Sequence, residues 1–211
     1  MSQFVEQPRE PLRPLVDTPE AFDLCLDSLT SGNGPVAFDA ERAHGHRYWP
    51  KAYLFQIRRE GSGTWLIDPI ALEQGGNTNL GRLTEACADA PWIIHAASQD
   101  LPCMLDVGIR PPELFDTELA GRLLGAPAVG LAALLNAKLG IRLRKAHSAD
   151  NWAIRPLPTS WLIYAALDVD YLIELADLLR AELAAKNRMT WAQEEFVHIL
   201  QNFSTPPTPR K

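Results

Sequence analysis

The sequence predicts an α/β domain in which helices alternate with the strands of an open sheet. Short apolar segments flanked by glycine and proline are typical of strands. They alternate with segments in which apolar residues recur every three or four positions, as in helices. The length of 211 residues suits one large domain with a substantial core. A composition of 46% hydrophobic and 22% charged residues is that of an ordinary globular protein.

The chain is predicted to have three parts. Residues 1–17 are rich in proline and charge, which indicates an extended N-terminal arm. Residues 18–204 contain the predicted helices and strands and are expected to form the domain. Residues 205–211 include Pro206-Pro207-Thr208-Pro209, which is typical of a linker or tail.

The first elements of the domain are a helix and three strands. Residues 19–29 are predicted to form a helix with Thr18 as its N-cap, and the residues 31–35 are predicted to form a turn. Strands are predicted over residues 36–40, 52–58 and 64–67. The short turn Gly61-Ser62-Gly63 predicts that the last two strands form a hairpin.

A proline places the helix in the middle of the chain. A helix near residues 80–88 precedes an apolar strand over residues 92–95. Pro102 has no N–H, so it is tolerated only in the first turn of a helix. We therefore expect a helix that begins near Ser98 and Gln99, has Asp100 in its first turn and ends at Gly108. Asp100 would then lie at the carboxyl end of the strand, where sites in open α/β sheets gather.

The C-terminal half is predicted to be mainly helical. A short strand is predicted at residues 114–115, an irregular polar loop over 142–156, and helices over 117–124, 131–139, 160–185 and 191–203. Tyr164 and Asp168 lie beside the buried apolar stripe of the helix over 160–185. Thr190 and Gln193 predict a capping box for the last helix.

Four acids and a tyrosine are placed where they can converge. Asp39 and Glu41 are two apart and share one face of a strand. Tyr164 and Asp168 are four apart and share one face of a helix. Taken singly, these residues and Asp100 have simpler explanations, such as a solvated strand end or a favourable helix dipole. As a converging set the acids repel one another unless a hard divalent cation binds between them, and two-metal sites of this kind hydrolyse phosphodiesters.

Basic and aromatic side chains follow the first pair of acids. This segment contains Arg42, His44, His46, Arg47, Tyr48, Trp49 and Lys51. Cations interleaved with aromatic rings are typical of surfaces that bind single-stranded nucleic acid through phosphate contacts and base stacking. A polar loop with a few anchored rings is the alternative. We expect Arg42 and Arg47 to contact nucleic acid.

The order of the motifs resembles the DEDD superfamily of 3′–5′ exonucleases, in the subgroup with a tyrosine in its third motif, and is most similar to ribonuclease D. The three motifs are Phe38-Asp39-Ala40-Glu41, His95-Ala96-Ala97-Ser98-Gln99-Asp100-Leu101 and Tyr164-Ala165-Ala166-Leu167-Asp168-Val169. Leu114-Phe115-Asp116-Thr117 is similar to the segment that follows the second motif in the family. The resemblance extends from about residue 36 to residue 179.

This resemblance implies a ribonuclease H-like fold, a mixed sheet flanked by helices on both sides. It also implies two Mg²⁺ or Mn²⁺ ions. Asp39 would bridge the two ions, Glu41 and Asp168 would complete the ion that activates water, and Asp100 would hold the second. Tyr164 would orient the attacking water. Relatives carry a helical HRDC domain after the nuclease domain, so we expect these 211 residues to be an exonuclease domain without it.

The loop before the third motif also resembles ribonuclease D. Lys145, Trp152 and Arg155 match that loop, and we expect all three to contact nucleic acid. Asn151 stands where the ribonuclease D branch usually has aspartate, and asparagine is also seen there in the Werner-type branch, which acts on DNA. RNA and DNA both stay open as substrates at this point.

The resemblance implies a metal-dependent 3′–5′ exoribonuclease that releases nucleoside 5′-monophosphates from single-stranded RNA 3′ ends, with tRNA precursors as the expected substrate class. The alternatives are a DNA exonuclease of the repair or proofreading type and a catalytically silent nucleic-acid-binding module on the same fold. The presence of all four acids and the tyrosine disfavours the silent module.

Composition excludes several other classes of protein. No apolar run is long enough to span a membrane, and the N-terminus lacks the basic and apolar regions of a secretory signal. Three scattered cysteines favour a reducing cytosol, so we expect a cytoplasmic protein. The net charge of −6 argues against a protein that coats nucleic acid, although an enzyme that binds one chain end with the help of cations is compatible with it.

Overall fold

The computed structural model describes residues 3–42, 51–76, 78–143, 147 and 150–204. The strands are β1 (Gln3–Val5), β2 (Asn33–Arg42), β3 (Ala52–Glu60), β4 (Gly63–Ile67), β5 (Trp92–Ile94), β6 (Leu114–Asp116) and β7 (Ile141–Leu143). The helices are α1 (Pro19–Thr30), α2 (Pro69–Gln74), α3 (Arg82–Ala86), α4 (Leu101–Asp106), α5 (Thr117–Leu123), α6 (Leu131–Leu139), α7 (Thr159–Asp170), α8 (Leu172–Ala185) and α9 (Met189–Ser204). This α/β architecture confirms the predicted fold class.

A mixed five-stranded sheet with the order β4-β3-β2-β5-β6 forms the centre of the fold. β2 runs antiparallel to β3 and parallel to β5, and β5 runs parallel to β6. β2 is therefore the central strand, and its residues Val36, Ala37 and Phe38 are fully buried. The acids that follow them lie at the carboxyl end of this strand.

Helices cover both faces of the sheet because the strand side chains alternate between two apolar clusters. On one face, Phe38 and Phe55 have their ring centroids 5.5 Å apart and pack with Phe22 of α1. On the other face, Leu54 and Leu66 pack against the α7 residues Ala165 and Ala166. The second cluster fixes α7, which carries the third motif, over the end of β2.

The N-terminal arm lies along the domain. β1 pairs in parallel with β7, and Val16 forms an isolated bridge with Ile67. The backbone N–H of Arg9 donates to Asp170 Oδ2 at 2.8 Å, and the Arg13 guanidinium lies 4.3 Å from the centroid of the Trp65 ring. The prediction that residues 142–156 form only an irregular loop was wrong at its start, since residues up to Leu143 belong to β7. The partner strand of β7 is distant in the sequence, so local composition carries no signal of the pairing.

The helix predicted over residues 160–185 is two helices. The chain breaks at Tyr171, which has φ −117° and ψ 9°. Asp170, which is 1% exposed, accepts the N–H of Arg9 and lies 3.6 Å from the Arg58 guanidinium. The break turns α7 toward the sheet and α8 toward α5 and α6. The apolar spacing continues across the break, which is why the sequence predicted a single helix.

Three smaller predictions were also inaccurate, and one helix was not predicted. The turn residues near position 34 lie inside β2, where Gly34 has φ +68° and the register with β3 shifts. The helix predicted near residues 80–88 contains only Arg82–Ala86. α2 was not predicted, although Asp68 accepts hydrogen bonds from Ile70 and Ala71 as its N-cap. Thr190 lies inside α9 rather than at its N-cap, because α9 begins at Met189, the residue before Thr190.

The N-cap of the first helix and the state of the cysteines agree with the predictions made from the sequence. Thr18 caps α1 by accepting from the N–H of Ala21, as predicted. Cys25, Cys87 and Cys103 are buried thiols. Among the described residues, no helix is both long enough and apolar enough to cross a membrane.

Candidate active site

A cavity of about 360 Å³ opens at the carboxyl end of β2. Its lining includes all five side chains that were predicted to converge. The lining residues are Asp39, Ala40, Glu41, Arg42, His95, Ala96, Gln99, Asp100, Glu118, Gly130, Leu131, Tyr164 and Asp168. The cavity thus joins the end of the central strand, the turn before α4, the start of α6 and one face of α7.

Three of the acids are close enough to share one cation. Asp39, Glu41 and Asp168 each offer one carboxylate oxygen, and these three oxygens lie within 4.8 Å of one another. The strand spacing gives Asp39 and Glu41 the same face, and the packing of α7 on that face brings Asp168 to them. An all-oxygen set of carboxylates is the kind of site that binds Mg²⁺, Mn²⁺ or Ca²⁺.

Asp100 reaches the cluster through a strained turn. Ala96 has φ +56°, a left-handed conformation that is uncommon for a residue with a side chain. The buried Asp116 carboxylate stabilises this turn by accepting the N–H groups of Ala96 at 3.1 Å and Ala97 at 2.9 Å. Asp116 also caps α5, accepting from Glu118 and Leu119. The hydrogen bonds of Asp116 therefore hold the second motif next to the start of α5.

Asp100 lies just before α4, rather than inside the first turn of a helix that begins near Ser98 and Gln99. It precedes α4 as its N-cap residue, after a 3₁₀ turn over Ala97–Gln99, and its side chain makes no capping bond. Pro102 is in the first turn, as predicted. Asp100 is only 2% exposed, and its carboxyl is hydrogen-bonded to the Asp39 carboxyl instead of capping the helix. All four acids therefore belong to one cluster.

Burial and mutual repulsion disfavour the charged forms of these acids. Desolvation raises the pKa of Asp39, and it raises the pKa of Asp100 and Asp168 well above their usual range, with the Asp39 charge as a further cause for both. Desolvation and the neighbouring acids raise the pKa of Glu41 to about 10. A bound divalent cation would reverse this balance, because it stabilises the deprotonated carboxylates.

Tyr164 lies one helical turn before Asp168. Its hydroxyl is hydrogen-bonded to the Asp168 carboxylate, and its ring makes an edge contact with His147, with the centroids 5.8 Å apart. Burial and the adjacent acids raise the pKa of the phenol above its usual value. The hydroxyl is therefore protonated at neutral pH and is a hydrogen-bond donor rather than a metal ligand.

We expect Mn²⁺ to stabilise the protein more at high pH than at low pH. The folded state raises the pKa of Glu41 from 4.5 to about 10, so this group contributes stability at low pH that is lost as the pH rises through that window. Mn²⁺ requires the deprotonated acids, and at about a hundred times its Kd it adds about 2.7 kcal/mol, or roughly 5–10 °C in melting temperature.

Thermal unfolding with Mn²⁺ and with EDTA, at about pH 5.5 and at about pH 8, measures this difference. The rise caused by Mn²⁺ should be larger at the higher pH. A melting temperature that Mn²⁺ leaves unchanged at both pH values would argue against a preformed cation site.

Arg42 is the one predicted nucleic-acid contact that the structure places in the cavity, among the residues it describes. Its guanidinium donates to the Gln99 carbonyl at 2.5 Å and lies 3.3 Å from Asp100 Oδ1. Its Nε is buried and has no partner among the described residues. Arg47 and Lys145, for which nucleic-acid contacts were also predicted, lie outside the described residues.

Trp152 and Arg155 both make contacts within the described part of the fold, and their contact with nucleic acid stays a prediction. Trp152 is fully buried, and its ring packs with its centroid 5.1 Å from that of Trp161. Arg155 donates to both oxygens of Asp68, at 2.6 and 2.8 Å, and to the Tyr53 carbonyl at 2.8 Å. It also donates to the carbonyls of Trp152 and Ile154. These bonds give Arg155 a structural role in the fold.

Replacing Arg155 by lysine should lower stability rather than nucleic-acid affinity. Lysine cannot reproduce the bidentate contact with Asp68, which is 1% exposed. Breaking a fully buried pair costs about 3–5 kcal/mol, and the partial exposure of Arg155 reduces the expected loss to about 2 kcal/mol.

Denaturant unfolding measures that loss, with Arg82→Lys as the control. Arg82 pairs with Asp23 on the surface, where such pairs contribute about 1 kcal/mol or less. The salt dependence of RNA binding should stay the same for Arg155→Lys. A slope reduced by about one unit would support the assignment of a phosphate contact.

Several lining residues were not predicted as site residues. His95 and Gln99 belong to the second motif but were named only as its flanks, and Glu118, Gly130 and Leu131 come from α5 and the start of α6. His95 Nδ1 lies 2.9 Å from Thr117 Oγ1, and burial lowers its pKa to about 4. The similarity of the segment Asp116-Thr117 to the family was the signal that could have led to Glu118.

Comparisons with known proteins agree with this geometry. A family model described as 3′–5′ exonuclease matches residues 15–184. Ribonuclease D of Xanthomonas oryzae pv. oryzae is 34% identical over 167 residues, which cover 78% of this chain and 45% of the relative. The chain spans about half the length of the curated relatives it matches, with 45% and 48% covered in two of them.

Two solved structures are also similar. The crystal structure of a protein from Bifidobacterium adolescentis is 44% identical with a TM-score of 0.94, and the match covers 100% of this chain and 51% of that one. The crystal structure of RNase D from Escherichia coli is 26% identical with a TM-score of 0.83, and the match covers 94% of this chain and 52% of that one. Both support the α/β fold described above.

Proposed function

Because the chain belongs to the 3′–5′ exonuclease family and is similar to ribonuclease D proteins, we propose that it is a metal-dependent 3′–5′ exoribonuclease. One observation carries the proposal. Four carboxyl groups and a tyrosine hydroxyl line one cavity at the end of the central strand. Such a cluster stabilises the fold poorly without cations, so its presence is best explained by the chemistry it performs.

The residues fit two divalent cations. Asp39, Glu41 and Asp168 would hold one ion, and Asp39 and Asp100 would hold the other, with Mg²⁺ and Mn²⁺ as the proposed metals. The fit rests on the carboxylate oxygens within 4.8 Å of one another and on the hydrogen bond between Asp39 and Asp100. Bound ions of this kind polarise the phosphodiester and make water a potent nucleophile at neutral pH.

The chain's own residues orient the reactants. The Tyr164 hydroxyl is protonated and reaches the cluster through its bond to Asp168, so it can donate to an oxygen of the attacking water or of the phosphate. Arg42 supplies a positive charge at the cavity wall for a phosphate of the substrate. His95 has a pKa of about 4 and is a weak base at neutral pH, so we assign it no proton transfer.

Single-stranded RNA with a free 3′ end is the proposed substrate. The support comes from the curated relatives, which are named ribonuclease D, and from the E. coli structure, which is described as an exoribonuclease involved in structured RNA processing. We propose that the products are nucleoside 5′-monophosphates and that tRNA and other stable RNA precursors are the substrate class. DNA hydrolysis is the competing outcome in the test below.

Digestion of matched RNA and DNA oligomers tests this function. Each oligomer carries a 5′ label and either a free or a blocked 3′ end, and each is incubated with Mn²⁺ or with EDTA. The proposal predicts that RNA with a free 3′ end shortens stepwise only with Mn²⁺, with release of nucleoside 5′-monophosphates. Faster digestion of DNA would assign the DNA exonuclease instead, and no digestion of either polymer would favour a silent binding module.

A further inference from the structure

Gln56 is a buried amide to which the described residues offer no hydrogen-bond partner. It lies in the middle of β3 and is fully buried. Neither its Nε2 nor its Oε1 has a partner among the residues that the structure describes. Buried side-chain amides are nearly always hydrogen-bonded, because an unpaired amide loses its bonds to water and gains none in return. The unpaired state of the Gln56 amide therefore needs a physical explanation.

The position of Gln56 connects it to the acidic cluster. In the antiparallel pair of β2 and β3, Gln56 lies directly opposite Asp39. Directly opposed residues share one face of the sheet, with Cβ atoms about 4.5–5.5 Å apart. Leu54, two residues earlier on the same face, packs against Ala165 and Ala166 of α7. Gln56 is therefore enclosed between the sheet and the helix that carries Asp168, next to Asp39.

Gln56 does not belong to the wall of the cavity. It is fully buried behind the acids. Two residues further along the same face of β3, Arg58 lies 3.6 Å from Asp170 of α7. On this face of β3, Arg58 thus contacts an acid of a neighbouring element, whereas Gln56 has no partner among the described residues.

We propose that Gln56 is a positioning residue, whose amide N–H donates to the Asp39 carboxylate when the cluster binds divalent cations. A carboxylate has about four acceptor sites, so an Asp39 that contacts two ions keeps acceptor capacity for a protein donor. Donors behind metal-binding carboxylates fix their orientation and typically change metal affinity ten- to a hundredfold. This inference rests on the proposed function, because it needs the cations.

The substitution Gln56→Met separates this role from a structural one. Methionine has nearly the same length and volume but no hydrogen-bonding amide. Without cations it removes two unpaired polar atoms, so the melting temperature in EDTA should be equal to or higher than that of the parent. The Kd for Mn²⁺ should rise about tenfold or more, and kcat should fall while KM for RNA changes little.

Ile57→Met is the matched control. Ile57 is the next residue of β3, is fully buried and faces the opposite core, so this variant should keep the Mn²⁺ affinity of the parent within about twofold. Gln56→Leu, measured in the same way, makes the result independent of how the methionine packs.

The measurements are Mn²⁺ titration and thermal unfolding in EDTA of the parent and the three variants. An unchanged Mn²⁺ affinity in both Gln56 variants, or a lower melting temperature in EDTA for both, would overturn the inference and assign the amide to the fold. If the parent itself binds no Mn²⁺, the proposed function fails instead, so the two failures are distinguishable.

Discussion

Replacing Asp39 by asparagine should lower kcat by at least about a thousandfold, a change of about 4 kcal/mol in the activation free energy. Asp39 is the acid that the other members of the cluster share. One of its oxygens lies with those of Glu41 and Asp168, and its carboxyl is hydrogen-bonded to Asp100. Asparagine keeps the shape but removes the charge that two cations would need. Because both ions would be held more weakly, this is the largest effect expected in the chain.

The same substitution should leave the folded state intact. Without cations, Asp39 is one of several buried acids that repel one another, so its neutral replacement should keep or raise the melting temperature in EDTA. Asp27→Asn on α1 is the control, because Asp27 is exposed and does not line the cavity. Single-turnover rates on RNA, with circular dichroism for the fold, measure both effects. Turnover near that of the parent at saturating Mn²⁺ would contradict the assignment of Asp39 as a ligand.

Replacing Tyr164 by phenylalanine should lower kcat by about ten- to a thousandfold, the range expected for a group that positions or shares a proton in the transition state. The ring would keep its contacts with His147 and Trp152, so packing should be preserved. The lost hydroxyl is the one that is hydrogen-bonded to Asp168. KM and Mn²⁺ affinity should change little, because the effect is confined to the transition state.

Tyr171→Phe is the control for the loss of a hydroxyl. Tyr171 lies at the break between α7 and α8, beside the Arg9 guanidinium and away from the cavity. Its kcat should stay within about twofold of the parent, a change of under ~0.5 kcal/mol. If Tyr164→Phe gave an equally small change, the ring would be a packing element and the hydroxyl would have no part in the reaction.

The cluster could be predicted because its geometry follows from local periodicity. The two-residue spacing of Asp39 and Glu41 and the four-residue spacing of Tyr164 and Asp168 fix the shared faces once the elements form. Asp100 was placed correctly at the end of β5 because Pro102 limits where a helix can begin. The resemblance to the exonuclease family added the expectation that these faces meet.

The supporting contacts could not be predicted, because they depend on distant parts of the chain. The loop position of Trp152 and Arg155 suggested that both are exposed. In the structure Trp152 packs against Trp161 of α7, and Arg155 is bonded to Asp68, which precedes α2. The break at Tyr171 lies beside Asp170, which accepts the N–H of Arg9, and β7 pairs with β1, so both features involve the distant N-terminal arm. Gln56 gave no signal in the sequence, since an unpaired amide is visible only in the folded protein.

Titration of Mn²⁺ into the metal-free protein, followed by the electron paramagnetic resonance of unbound Mn²⁺, tests most directly whether the acidic cluster is a cation site. We expect the parent to bind up to two ions per chain and Asp39→Asn to bind one at most, with greatly reduced affinity, while Asp27→Asn binds as the parent does. A parent that binds no Mn²⁺, or an Asp39→Asn variant that binds it as tightly as the parent, would show that the acidic cluster is not the cation site.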